Sequence, residues 1–138
     1  MEDFRTCTID ADILAIPKVS LELDQTMRLH AFSDEEILDT QLAVEEAITN
    51  VIMHGYAGKP GQIVLTCRGT PALVEVQIED SAPPFNPLSI PKPDTDGDID
   101  ERKIGGLGVF LIRQVMDEIV YRYEDGKNIL VLVKKKTG

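Results

Sequence analysis

The chain has 138 residues, 43% of them apolar and 28% charged, which is the size of one domain with one core and enough charge for solubility. Its 14 basic and 24 acidic residues leave a formal net charge of −10; this argues against a nucleic-acid binder, which needs a basic stripe to displace counterions, and leaves basic protein partners open. No apolar run approaches the ~18 residues of a membrane span, and the opening Met1-Glu2-Asp3-Phe4-Arg5 lacks the basic-then-apolar order of a secretory signal, so a cytoplasmic protein without a membrane partner is expected.

Residues 3–10 alternate in polarity and predict a short strand. A first helix is expected over about 12–31, with Leu14, Val19, Leu21, Leu23, Met27 and Leu29 as apolar candidates and Pro17 in its first turn. Ser33-Asp34-Glu35-Glu36 reads as a capping box, in which the Ser33 hydroxyl accepts a backbone N–H and the Glu36 carboxylate reaches back. The second helix therefore runs over about 34–54. At 100° per residue Ile37, Val44, Ile48 and Val51 form one apolar stripe, and Glu46 and Asn50, four apart, share another face. An acid and an amide one turn apart can share a ligand; for an arbitrary pair, a solvated helix face is the plainer explanation.

Gly55, Gly58, Pro60 and Gly61 end that helix. Residues 62–68 and 73–78 read as strands of a hairpin around Gly69-Thr70-Pro71. Residues 80–104 form a long loop with Pro83, Pro84, Pro87, Pro91 and Pro93; loops of this length in small domains usually serve function. Its Asp94–Asp100 acidic run is not a calcium loop: counted from Asp94, Gly97 stands fourth and Gly105 twelfth, where an EF-hand needs Gly sixth and an acid twelfth. A helix over 108–119 directs Val109, Ile112, Val115 and Met116 inward. Strands over 119–123 and 128–134 then pair across Glu124-Asp125-Gly126-Lys127. Cys7 and Cys67 fit no C-x-x-C pattern and are expected as reduced thiols; with His30 and His54 they lack the spacing of a zinc site. There are no internal repeats and no linker. The order is that of an α+β domain with helices on one face of a mainly antiparallel sheet.

Two later segments also look like ligand loops. Asp80 ends a strand before the proline-rich loop, where an acid forms a turn or accepts from a ligand. Gly105-Gly106-Leu107-Gly108 opens a helix, whose free N–H groups and dipole favour an anion; loop punctuation is the alternative for these glycines. Together, Glu46 through Tyr56 (Glu-Ala-Ile-Thr-Asn-Val-Ile-Met-His-Gly-Tyr), Asp80 with Pro84-Phe85-Asn86-Pro87, and Gly105 through Ile112 followed by Met116-Asp117-Glu118 resemble the N, G1 and G2 boxes of the GHKL ATPase superfamily, the Bergerat fold. The details resemble its small one-domain branch, the anti-sigma-factor serine/threonine protein kinases, and the resemblance covers nearly the whole chain, residues 1–138 being taken as one domain.

The resemblance implies a two-layer sandwich with a mainly antiparallel, mixed sheet and a mobile ATP lid over about 88–104. It implies ATP and Mg²⁺ as cofactors, Glu46 as general base, Asn50 as the Mg²⁺ ligand, and Asp80 as acceptor for the adenine amino group. Gly106, Leu107 and Gly108 would bring backbone N–H groups to the phosphates, and Arg102 would reach the γ-phosphate from the lid. The implied function is a cytoplasmic kinase that phosphorylates a STAS-domain anti-anti-sigma factor, sequesters a sigma factor in a partner switch and forms a homodimer. Two other functions compete with it: a nucleotide-binding module that holds a partner without transferring phosphate, and the catalytic fragment of a sensor histidine kinase. The latter requires a helical hairpin with an acceptor His, which the chain lacks; His54 sits inside the N box. Two residues depart from the family pattern. Ala82 stands at the Gly of D-x-G, where a methyl crowds a backbone approach or forbids φ > 0, and Asn86 replaces the usual Asp.

Overall fold

The computed structural model describes residues 2–86 and 111–137. Strict alternation in the middle of the chain sorts side chains onto two faces of a sheet. In β2 (Gln62–Gly69) Ile63, Leu65 and Cys67 are buried, and in β3 (Leu73–Asp80) so are Val74, Val76 and Ile78. β1 (Asp3–Asp10) pairs with β2 on one side. On the other side β3 pairs with β5 (Lys127–Lys135), which carries β4 (Glu118–Glu124) at the edge. The order is β1-β2-β3-β5-β4, and all four pairings are antiparallel, so the described sheet is uniform where a mixed one was expected. Asp125 and Gly126 join β4 to β5 with φ of 53° and 77°, the left-handed pair that a two-residue hairpin turn demands.

The helices α1 (Ile16–Leu29) and α2 (Asp34–Asn50) cover the inner face. A 3₁₀ turn, Ile13–Ala15, precedes α1 and is capped by Asp12, which accepts from the Leu14 N–H at 3.0 Å. The helix thus starts later than expected, with Pro17 in its first turn. Its buried stripe is Val19, Leu23 and Met27; Leu14, Leu21 and Leu29 are exposed, so the apolar face is narrower than composition implied. Ala31 at φ 61° ends the helix, and the Phe32 N–H returns to the Met27 carbonyl at 3.0 Å.

The capping box forms as predicted: Glu36 N–H donates to Ser33 Oγ at 3.1 Å and Ser33 N–H to Glu36 Oε1 at 2.8 Å. The other carboxylate oxygen of Glu36 holds the end of the described chain, accepting from Thr137 N–H at 2.8 Å and Thr137 Oγ1 at 3.1 Å. These donors hold the Glu36 carboxyl down at about 2, the Ser33 and Thr137 backbone N–H groups leading. The predicted stripe of Ile37, Val44, Ile48 and Val51 is buried.

Two boundaries differ near the site. The second helix ends as α at Asn50 and continues as a π turn, Val51–Gly55, rather than running straight to residue 54. β3 runs two residues past the expected 73–78 and ends at Asp80, the strand-ending acid of the sequence reading, paired with Ile63 and Asn128. The third helix is seen over 111–115 and stops short of 119, because Ile119 belongs to β4. Lys134 Nζ donates to the Val115 carbonyl at 2.7 Å, and Ile112 and Met116 are buried. The expected lid, with Arg102 and Gly105 through Val109, lies outside the described residues. No helix of the described residues is long and apolar enough to cross a membrane, and Cys7 and Cys67 are free thiols.

Candidate functional site

The C-terminal half of α2 separates two adjacent acids. Glu45 faces α1, where its Oε1 accepts from Ser20 Oγ at 2.7 Å. Glu46, one position on, is half-buried, and its carboxyl is pushed up first by that burial and then by the Glu45 charge. An acid so placed is a better proton acceptor than a free glutamate.

Asn50, one turn further, departs from the expectation that it lies off the core. It is 3% exposed, and its Nδ2 has no hydrogen-bond partner among the described residues. Leaving a buried amide donor unmatched costs about 1–3 kcal/mol, so the side chain is poised to bind rather than to stabilise. A half-turn of the amide exchanges its nitrogen and oxygen, and the carbonyl oxygen is the ligand type that a hard divalent cation takes. Asn50 therefore fits a magnesium ligand: no protein partner among the described residues competes for the amide nitrogen.

Beyond Asn50 the helix widens. Tyr56 N–H reaches the Val51 carbonyl at 2.8 Å, a five-residue step that closes the π turn. The turn brings the end of this helix to the loop after Asp80. The His54 and Phe85 rings lie 5.9 Å apart, and a methyl built on Gly55 would meet the Ala82 methyl at 3.4 Å. Tyr56 adds a clasp. Its hydroxyl donates to the Gln62 carbonyl at 2.6 Å and accepts from Ser81 N–H at 3.0 Å, while its ring occupies the space over Gly61 that any side chain there would need.

Asp80 is 5% exposed. Its Oδ1 accepts from Ala82 N–H at 3.0 Å and Asn128 Nδ2 at 2.9 Å. Burial pushes its carboxyl up, and these two donors partly offset that. Asn128 escaped the sequence reading as a site residue, yet it organises the loop. Its Nδ2 also donates to the carbonyls of Ala82 (3.1 Å) and Pro83 (3.2 Å), and its Oδ1 accepts from Phe85 N–H (3.0 Å) and the Tyr121 hydroxyl (2.5 Å). A signal was present: Asn128 shares the inward alternation of Leu130 and Leu132, and an amide on a core-facing strand position needs partners. Ala82 is 2% exposed and avoids the left-handed region, to which only Ala31, Ala57 and Asp125 belong among the described non-glycine residues. The methyl at the position of the family's glycine is thus housed without backbone strain.

The structure unites two of the three predicted segments, Glu46 with Asn50 and Asp80 with its loop. Gly106, Leu107, Gly108 and Arg102 lie outside the described residues.

The model of the histidine kinase-like ATPase domain matches residues 9–134. The chain is 33% identical over 105 residues to a serine-protein kinase, RsbW, of Listeria monocytogenes, covering 72% of this chain and 67% of that protein. It is 30% identical over 130 residues to the anti-sigma F factor of Clostridium acetobutylicum, covering 89% and 81%. A serine-protein kinase RsbW of Staphylococcus aureus is 30% identical over 134 residues, covering 93% and 84%. Among solved structures, the RsbU and RsbW domains of Rv1364c from Mycobacterium tuberculosis match with a TM-score of 0.66 at 18% identity, over 99% of this chain and 33% of that one, a likeness of fold. With 126 of its 138 residues inside the family model, the chain belongs to the histidine kinase-like ATPase domain family.

Proposed function

We propose that the chain is an ATP-dependent protein serine/threonine kinase that acts as an anti-sigma factor in the cytoplasm. Its substrate is a STAS-domain anti-anti-sigma factor, and phosphorylation decides which partner is held. The observation that carries this reading is the buried Asn50 amide, whose nitrogen has no partner among the described residues, one turn from Glu46 on a helix whose end abuts the Asp80 loop. The names of the relatives, serine-protein kinase and anti-sigma F factor, support it.

Each residue has a role. Asp80, held by Asn128, presents a carboxylate to the adenine amino group. Asn50 would hold the magnesium ion that accompanies ATP, whose charge would offset the phosphates. Glu46 accepts the proton of the incoming serine or threonine hydroxyl, whose oxygen then bonds to the γ-phosphorus as ADP leaves. The remaining roles fall to residues 88–104 as lid, to Arg102 toward the γ-phosphate, and to the backbone N–H groups of Gly106, Leu107 and Gly108 as phosphate donors, all as the family resemblance implies. The chain is one ATPase domain, and two copies form a homodimer.

Incubation with γ-labelled ATP and the STAS-domain protein encoded in the same operon tests the reading. Label on a serine or threonine of that protein is expected, with release of sigma factor by its unmodified form alone. ATP binding without label would reduce the chain to a nucleotide-binding module.

A further inference from the structure

Transfer to a protein hydroxyl constrains where the acceptor sits. The hydroxyl must come within about 2.6–3.2 Å of the base that takes its proton. The acceptor protein must therefore lie against the face of α2 that holds Glu46.

That face is not polar. At 100° per residue Leu38, Leu42 and Glu46 fall within about 80° of one another, and Met53, inside the wider π turn, returns to the same side. Leu38 is 55% exposed, Leu42 37% and Met53 45%, and none belongs to the core. The buried stripe of the helix is a different set of residues, so packing does not account for these three. From Leu38 to Met53 the helix rises about 22 Å at 1.5 Å per residue, a length suited to an interface patch of about 800 Å² per partner. Exposed Glu35 lies beside the line and favours a basic rim on whatever covers it, whereas half-buried Asp39 is already paired with Lys134 at 3.7 Å.

We infer that Leu38, Leu42 and Met53 form the docking surface for the phosphoacceptor protein, a folded domain that presents its serine or threonine beside an apolar patch with a basic rim. This rests on the kinase reading above. Continuity with Glu46 selects the occupant, because only the acceptor must approach that carboxylate. The three side chains supply apolar contact outside the nucleotide site, so they act on acceptor affinity and leave the chemical step alone.

The test uses the full chain, the same-operon STAS-domain protein and Mg·ATP. Leu38→Asp and Leu42→Asp, singly and together, and Met53→Gln are compared with Val120→Gln on the exposed side of β4. Leu38→Gln and Leu42→Gln, which retain helix propensity, guard against loss of fold. The double variant is expected to raise KM for the acceptor about tenfold or more, a step of ~1.4 kcal/mol. Its kcat at saturating acceptor and its Kd for Mg·ATP stay within about twofold of the parent chain, and Val120→Gln changes nothing. An unchanged acceptor KM in the folded double variant, with the parent chain active, overturns the inference and leaves the kinase reading intact. So does an unchanged KM accompanied by loss of a dimer, which would make the face a contact between copies. Absence of any transfer by the parent chain refutes the kinase reading, and the docking surface falls with it.

Discussion

Helix α2 carries two glutamates ten positions apart, Glu36 in its first turn and Glu46 near its end, and they behave in opposite ways. At Glu36 both carboxylate oxygens have backbone donors, and the carboxyl is held down at about 2. At Glu46 burial acts without a donor among the described residues, and the carboxyl is pushed up. The contrast extends to their neighbours. The first end is a completed capping box that also ties down Thr137; the second ends in an unmatched amide and a π turn. One helix thus has an end built for stability and an end that forgoes stability, and polar satisfaction alone separates them.

The largest expected effect exchanges one end for the other. Glu46→Gln should lower single-turnover transfer by on the order of 10²–10⁴ while Mg·ATP affinity holds. Glu45→Gln, which keeps an oxygen for Ser20 Oγ and removes only the charge that helps raise the Glu46 carboxyl, should lower transfer far less. Equal rates for Glu46→Gln and the parent would return Glu46 to the helix surface. At the other end, Glu36→Ala removes a cap and the Thr137 clasp and should cost about 1–3 kcal/mol in denaturant unfolding at neutral pH. Transfer per folded molecule should be unchanged; a parallel loss of both would erase the distinction between the ends.

Acid titration sharpens the same contrast. The Glu36 carboxyl is depressed from 4.5 to about 2 in the folded chain, so its stabilisation is fully present above the unfolded value and disappears as pH falls from 4.5 toward 2. Glu36→Gln should flatten stability against pH in that window. Glu46 has the opposite sign: its raised value makes ionisation a penalty on the fold above that value, relieved as pH falls through it. Glu46→Gln should therefore gain stability near neutrality relative to the parent chain, as read by chemical denaturation at several pH values.

Smaller effects are expected from Asn50 and Tyr56. Asn50→Ala should weaken Mg·ATP binding about tenfold in calorimetry. Loss of the unmatched amide offsets the loss of packing, so stability should change by less than about 1 kcal/mol. Equal affinity in both chains would remove Asn50 from the site. Tyr56→Phe frees Ser81 N–H and the Gln62 carbonyl and should weaken nucleotide binding by about 0.5–1.5 kcal/mol.

What was legible in the sequence was local. The capping box at Ser33 and Glu36, Pro17 in a first turn, and the Asp125-Gly126 hairpin each depend on neighbours within a few residues, and each appears where predicted. Glu46, Asn50 and Asp80 were picked out by spacing and resemblance. Their surroundings were not, because those surroundings come from afar: Asn128 reaches Asp80 across 48 positions and Thr137 reaches Glu36 across 101. The burial of Asn50 was missed because periodicity ranks angles around a helix without knowing how far the sheet wraps beneath it. The exposed Leu14, Leu21 and Leu29 were misjudged for the related reason that hydrophobicity alone does not separate a core contact from an exposed one.

The π turn makes chain length a variable in its own right. Its hydrogen-bonded ring contains one residue more than an α turn, so removal of a single codon between 51 and 55 would restore an uninterrupted α-helix at little backbone cost. A five-residue π step turns the chain about as far as a four-residue α step, so positions beyond the deletion would keep nearly the same face. The loop before Gln62 would absorb the slack, and the sheet and its core would assemble as before. His54 and Gly55 would still face Phe85 and Ala82 if the codon removed were that of Val51, Ile52 or Met53. The extra residue is thus spare length, and its removal upstream of His54 would yield a folded protein whose helix end still meets the Asp80 loop.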